Sequence, residues 1–319
     1  MSQSRSDTRS PKKEPKKRKG LKTFLIIILI LFIALGLFVW KIYSDVAGTT
    51  EKIYKDVKTD EVRESSIDIS KKDPFSILLL GVDTGDLGRT EQGRSDTMMV
   101  MTVNPNLEEA TIVSIPRDTR TEIVGNGTTD KINHAYAFGG TPMSVNTVQS
   151  MLDIPIDYYV EVNMQGLKDI IDAVGGVDIT SPLTFSYEGY NFTENVTTSL
   201  DGKAALAYSR MRYDDPEGDY GRQERQRQVI QATVEKVASL STISNYKDIL
   251  GTLEKNMQTN LDFDDMLKIF NNYRSAAGNI EQVQLKAEGT TIDGIYYGIV
   301  SDEEMNRVSS LLKVQLELN

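Results

Sequence analysis

Residues 73–84 read DPFSILLLGVDT, 93–105 read GRSDTMMVMTVNP and 110–120 read ATIVSIPRDTR. Phe75–Val82, Thr97–Val103 and Thr111–Ile115 are short, nearly continuous apolar runs rich in β-branched residues, each closed by turn residues. That pattern predicts buried strands. Asn104–Glu109 is too short for a crossover helix, so the second and third runs should pair antiparallel. The connection Asp83–Ser95 is Gly-containing and lacks helical periodicity, which predicts an antiparallel first pair as well. In such a meander the end of the first strand, the start of the second and the end of the third share one sheet edge. Asp83, Asp96 and Arg117 hold those places. Singly each would pass for a turn residue; together they form a site.

Outward from this stretch, strands and helices alternate. Thr121–Asn133 reads as a loop, Thr141–Leu152 as a helix opened by Thr141-Pro142, Asp157–Val162 as a strand, and Met164–Val174 as a helix stopped by Gly175-Gly176. Val177–Thr180 and Leu183–Tyr187 read as short strands and Asn191–Leu200 as a polar loop. Asp201 caps a helix to Ser209, and Asp219–Leu240 is the longest helix. Helices at Tyr246–Met257 and Asp262–Ala276, a strand at Val283–Lys286, a hairpin-like stretch and a helix at Asp302–Leu312 follow. The expected class is α/β: an α-β-α sandwich around a central mixed sheet.

The 319 residues carry a net charge of -10, but residues 1–22 hold nine Lys/Arg against two acidic residues. The remainder is therefore strongly acidic, which argues against a nucleic-acid surface. Phe24–Trp40 is an uncharged apolar run of 17 residues, long enough to span a bilayer with Lys22 and Lys41 at its ends. The basic residues before it place the N-terminus in the cytoplasm. The expected order is a basic tail at 1–22, a transmembrane signal anchor at 23–43, a stalk and linker at 44–71, and an extracellular domain at 72–319. No cysteine is present and His134 is the single histidine. Disulfide frameworks, thiolate metal sites and a Ser-His-Asp relay are thereby set aside, and His134 reads as a residue serving local hydrogen bonds.

Arg210, Arg212, Arg222, Arg225 and Arg227 fall within 18 residues, interleaved with acidic ones. On a helix Arg222, Gln226, Ile230, Val234 and Val237 share a stripe whose later part is apolar. Arg222 and Gln226 therefore point toward the core, where a guanidinium needs an anion, and phosphate is the natural one. Arg227 faces elsewhere and reads as a surface charge. Asp83 and Asp96 form a hard-oxygen pair suited to Mg²⁺, with Mn²⁺ as a substitute, and carboxylates with clustered arginines are equipment for phosphoryl transfer. No Walker A sequence is present, so a nucleotide is a poor phosphate carrier; a membrane anchor favours a lipid one.

The stretches around Asp83, Arg94-Ser-Asp96, Pro116-Arg117-Asp, Lys131-Ile-Asn-His-Ala-Tyr, Gly175-Gly-Val, Tyr208-Ser-Arg210-Met-Arg212 and Asp219-Tyr-Gly-Arg222-Gln-Glu-Arg225-Gln226 resemble the LytR-CpsA-Psr family of bacterial cell-envelope proteins. The resemblance covers about residues 73–235. It implies a transferase that moves an anionic glycopolymer, of teichoic acid or capsular type, from undecaprenyl pyrophosphate to a peptidoglycan hydroxyl through a phosphodiester. It further implies Asp83 and Asp96 on Mg²⁺, and Arg117, Arg210, Arg212, Arg222 and Gln226 on the pyrophosphate. Arg94, Arg120, Asp219 and Arg225 are weaker candidates. A lipid tunnel would be lined by Leu167, Ile170, Ile171, Ile230, Val234 and Val237. Three other readings stand beside it: a polyprenyl-phosphate-binding module, a pyrophosphatase, and a membrane-tethered regulator of envelope gene expression.

Overall fold

A computed structural model of the chain describes residues 40–63, 66–83, 93–238 and 246–318 together with Leu37, with side chains left out at 237, 238, 246–249 and 277. Most of the expected anchor lies outside these residues. Among the described ones no helix is long and apolar enough to cross a membrane. The chain divides into two units at residues 45 and 46, and the second, Val46–Asn319, carries the sheet and the helices packed on it.

The predicted meander is present: β1 (Phe75–Val82), β2 (Ser95–Asn104) and β3 (Glu109–Ser114) pair antiparallel in sequence order. They form the middle of a six-stranded sheet of order β11-β6-β1-β2-β3-β12. β6 (Tyr158–Asn163) joins β1 parallel and β12 (Ile280–Gln284) joins β3 parallel. β11 (Met257–Thr259) closes one edge antiparallel to β6, so the sheet is mixed.

Because successive strand residues face opposite ways, the apolar runs supply two cores. Leu78, Leu80, Met98, Val100 and Val113 meet α2 (His134–Leu152) and α8 (Asp302–Gln315) on one face. Phe75, Met99, Met101 and Ile112 on the other face meet α5 (Asp219–Ala238), through Ile230, and α7 (Phe263–Asn272), through Met266 and Ile269. Leu78, Met99, Val100, Ile112 and Val113 are fully buried, each contributing about 1.5–3 kcal/mol of hydrophobic stabilisation. Phe75 packs edge-on against Tyr158 and Tyr273, with ring centroids 5.6 and 5.1 Å away. A third cluster joins α3 (Met164–Ala173), α4 (Gly202–Arg210) and α5 to the strands β7 (Val177–Thr180), β8 (Phe185–Tyr187), β9 (Tyr190–Phe192) and β10 (Thr197–Leu200).

The segment 46–71 is part of this unit. Residues 46–53 are helical (α1), and Ile53 and Ile69 are buried. Arg63 donates to both oxygens of Asp157 at 2.6 and 2.9 Å. That carboxylate also accepts from Ser76, so the pair is mostly buried and the Asp157 carboxylate is satisfied by several donors.

Two stretches read as loops are strands. Thr121–Asn133 contains most of the hairpin β4 (Arg120–Ile123) and β5 (Thr128–Lys131), and Asn191–Leu200 contains β10 and most of β9. The hairpin β4–β5 and the strand β10, which pairs with β7, are polar and lie outside the main sheet, so backbone pairing holds them where no apolar alternation marks the sequence; β9 pairs with β8, with Phe185 and Phe192 buried. The helix expected from Thr141 is the second piece of α2: Gly140, at φ 66°, separates it from a first piece that begins at His134.

Candidate functional site

Asp96 and Arg117 meet at the sheet edge where the meander places them. Arg117 Nη1 donates to Asp96 Oδ1 at 2.6 Å, and Arg117 Nε lies 3.9 Å from Asp118. A β-bulge between Gly81 and Val82 shifts the register beside them. Asp83 follows directly: its backbone N–H donates to Arg94 O at 3.3 Å, and its Oδ1 accepts from Arg94 N–H at 2.8 Å. Gly93 is required there, because a β-carbon would lie 1.8 Å from Asp83 Oδ1.

α5 brings the second half of the site. Arg222 reaches Asp219 Oδ1 through Nη2 at 2.8 Å and Nε at 3.1 Å. Gln223 donates to the other Asp219 oxygen at 2.8 Å, and Arg212, largely exposed, approaches Asp219 at 3.6 Å. Asp96, Arg117, Arg222, Gln223 and Gln226 together line one crevice with Met98 and Met99, too tight as it stands to admit a water. At its polar end the helical stripe does turn inward: the Arg222 side chain is only 11% exposed. Burial pushes its guanidinium below the ordinary value; Asp219 opposes that, and the charge of Arg117 adds to it. Arg117 is also desolvated, but Asp96, with Asp118 and Asp219 further off, holds its charge above the ordinary value. Two guanidiniums so close together at a half-buried edge are a place for a multiply charged anion.

The other predicted residues divide. Arg210 ends α4 and is half-buried. Arg94 has an exposed side chain, and Arg120 lies over the Tyr297 ring at 5.8 Å. Arg225 is 1% exposed and occupied by the protein itself. It pairs with Asp215, donates to Tyr208 O at 3.1 Å and to Met211 O, and lies over the Phe185 ring at 5.2 Å. Gly221 permits the approach of Asp215, since a β-carbon there would be 2.0 Å from its Oδ2. Arg227 is not a surface charge: it is 6% exposed and bonds Ser114 Oγ and Gln284 Oε1, both at 2.8 Å. α5 is packed on several sides, and the adjacent Val229 and Ile230, in different cores, were the signal for that. His134 serves local bonding, its Nδ1 lying 2.7 Å from Asp130 Oδ2.

The residues expected to line a lipid channel are unevenly covered and fall in two different core clusters. Ile171 is fully buried and Ile170 nearly so, whereas Leu167, Ile230 and Val234 are half-buried; the Val237 side chain is outside the described residues. Ile77 and Leu79, on a central strand, and Val160 and Val162 beside them are also only half-buried. α7 is strongly amphipathic but has no fully buried residue. Two acidic side chains at the sheet edge suit Mg²⁺, which takes one or two carboxylates and completes its shell with water and phosphate. Among the described residues no group of three or more His, Cys, Asp or Glu could hold a metal, so a closed structural site is not what they build.

The sequence profile of the LytR_cpsA_psr family matches residues 37–314. A polyisoprenyl-teichoic acid–peptidoglycan teichoic acid transferase, TagU, of Enterococcus faecalis is 52% identical over 301 residues, covering 93% of this chain and 98% of that protein. The crystal structure of Bacillus subtilis TagU superposes with a TM-score of 0.64 at 46% identity, over 78% of this chain and 99% of that one. A structure of TagT bound to LIIa-WTA gives 0.69 at 32% identity, over 82% and 97%. The mixed sheet between helical layers, the edge carboxylates and arginines, and a match over most of its length place the chain in the LytR-CpsA-Psr family.

Proposed function

We propose that this protein transfers a teichoic acid from a polyisoprenyl pyrophosphate carrier to a hydroxyl of peptidoglycan, leaving a phosphodiester. The observation that carries the reading is the nearly buried Arg222, lining one crevice with Arg117 and Asp96. A lipid diphosphate has charge to occupy the guanidiniums and a chain to cover the half-buried apolar side chains Ile77, Leu79, Val160, Val162 and Ile230. The transferases named among its relatives act on polyisoprenyl-linked teichoic acid.

In this reading Arg117, Arg222 and Gln226 grip the diphosphate, with Arg210 and Arg212 at the rim. The acceptor hydroxyl attacks the sugar-side phosphorus in line. The new O–P bond forms as the bridging P–O bond breaks, and polyprenyl phosphate leaves with the electron pair. With a second ionisation near about 6, that phosphate can take up the hydroxyl proton. The arginines stabilise charge on the non-bridging oxygens, which is most of what a protein contributes to phosphoryl transfer. Asp83 and Asp96 would hold Mg²⁺, or Mn²⁺, which when bound neutralises diphosphate charge. The apolar run 24–40 anchors the chain in the cell membrane, with the tail in the cytoplasm and the catalytic domain outside.

The test is transfer by full-length protein in detergent, from a lipid-linked teichoic acid precursor to peptidoglycan. Arg222→Lys keeps the charge but loses the planar fork, and is expected to lower kcat about 100-fold. Wild-type turnover by both Arg222→Lys and Asp96→Asn would sink the assignment.

A further inference from the structure

A second, larger cleft of about 820 Å³ lies on the far side of α5, closed by the end of β12, the hairpin β13 (Glu288–Ile292) and β14 (Ile295–Ile299), and the start of α8. Its size is that of a ligand site. It shares a wall with the reaction pocket. Arg227, which lines the cleft, donates to Ser114 Oγ, which lines the pocket; Gln284 of the cleft donates to Gln223 Oε1 of the pocket at 2.9 Å.

The charges in this cleft are not settled internally. Arg227 is more than nine-tenths buried, and its bonds go to Ser114, Gln282 and Gln284, all neutral. Among the described residues no carboxylate pairs with it; burial pushes its guanidinium below the ordinary value, with only the more distant charge of Glu224 opposing. Arg307 and Glu304 satisfy one another at 2.7 and 2.8 Å. That leaves Arg227 and Lys286 facing Glu217, Glu224, Glu288 and Glu303, none of which has an ion-pair partner among the described residues. A buried cation without a counter-ion calls for an anionic group on the ligand. The surrounding carboxylates disfavour a polyanion and favour a ligand that also carries ammonium groups. Diphosphates and polyol phosphate chains without amine substituents fail that condition, whereas a short peptide with free carboxylates and amines meets it.

We propose that this cleft holds the peptide substituent of the peptidoglycan acceptor and so presents the sugar hydroxyl to the pocket behind Gln223 and Ser114. The proposal rests on the transferase reading. It requires that the enzyme distinguish acceptors bearing peptides from bare glycan, and that the distinction be carried by Arg227, Lys286 and the facing carboxylates.

The experiment compares full-length protein acting on uncrosslinked peptidoglycan and on the same glycan stripped of its peptides by an amidase, with one lipid-linked donor. Wild type is expected to favour the peptide-bearing acceptor. Lys286→Glu and Glu224→Lys, both on accessible side chains, should lower the ratio of the two kcat/KM values by about 5–30-fold, acting through KM for acceptor and leaving KM for donor alone. Arg227→Gln should do the same; if it fails to fold, the two accessible variants still decide. Equal use of both acceptors by wild type, or an unchanged ratio in Lys286→Glu and Glu224→Lys, overturns the cleft assignment alone. Transfer to neither acceptor overturns it together with the transferase reading.

Discussion

Replacing Arg225 with methionine separates a brace from a substrate contact. The guanidinium is 1% exposed and its partner Asp215 only 6%. Arg225→Met keeps much of the apolar volume against Phe185 and Tyr208 but strands the Asp215 carboxylate and the acceptors at Tyr208 O and Met211 O. Breaking a buried pair from one side costs about 3–5 kcal/mol, because the remaining charge stays desolvated. For a unit of this size that is a fall in Tm of roughly 6–20 °C. Asp215→Asn in the same chain removes the stranded charge and should restore roughly 1–3 kcal/mol, a non-additivity that surface residues do not show. Far-UV circular dichroism during thermal and urea unfolding is the suitable probe, since the single tryptophan, Trp40, lies outside the unit 46–319. If Arg225→Met unfolded where wild type does, while its kcat/KM fell, Arg225 would be gripping substrate and the brace would be wrong.

Gly93→Ala forces a β-carbon onto Asp83 Oδ1 and should cost at least about tenfold in transfer rate through misplacement of that carboxylate, with little change in Tm; an unaffected rate would show that Asp83 does not need its present seat. Chelation by EDTA should halt transfer and added Mg²⁺ or Mn²⁺ restore it, whereas full turnover in EDTA would remove the metal from the mechanism. Glu304 is held below the ordinary carboxylate range by Arg307 first and by the Lys286 N–H, against burial. Its contribution, about 0.5–1 kcal/mol, is therefore complete above its ordinary value and lost as pH falls through the depressed one. Urea unfolding of wild type and Glu304→Gln should accordingly differ at pH 7 and converge near about pH 3; a gap that persists in acid would refute the linkage.

The central sheet was legible because its strands are apolar on both faces and closed by turn residues, so β1 is bounded in the structure as in the sequence and β2 and β3 differ by one or two residues. The two antiparallel pairings at that edge followed from the short connection 104–109 and from the lack of helical periodicity in 83–95. The hairpin β4–β5 and the strand β10 were not legible, since sequences such as TTDK and TTSL carry no periodic burial. Stretch 46–71 read as a stalk because its apolar residues are sparse. Its attachment rests on Arg63 and Asp157, 94 positions apart, and no local pattern announces a pairing of that range.

Arginines 222, 225 and 227 show why charge type and spacing did not suffice. All three lie on one helix within six residues, all are mostly buried, and each meets a different fate. Arg225 is matched by a carboxylate as buried as itself, and so is finished as a structural element. Arg222 shares Asp219 with Gln223 and Arg212 and carries its charge against that of Arg117. Arg227 has only neutral partners. Helical phase fixed the direction of Arg222 correctly, because the apolar residues two and three turns later lie on the same stripe. It failed for Arg227 because a helix packed on several sides has no solvent face to assign by default. What distinguishes a binding arginine from a bracing one is whether a protein carboxylate, itself desolvated, answers it. On that criterion Arg225 is a brace, whereas Arg222 has only the part-exposed Asp219 and Arg227 only neutral groups.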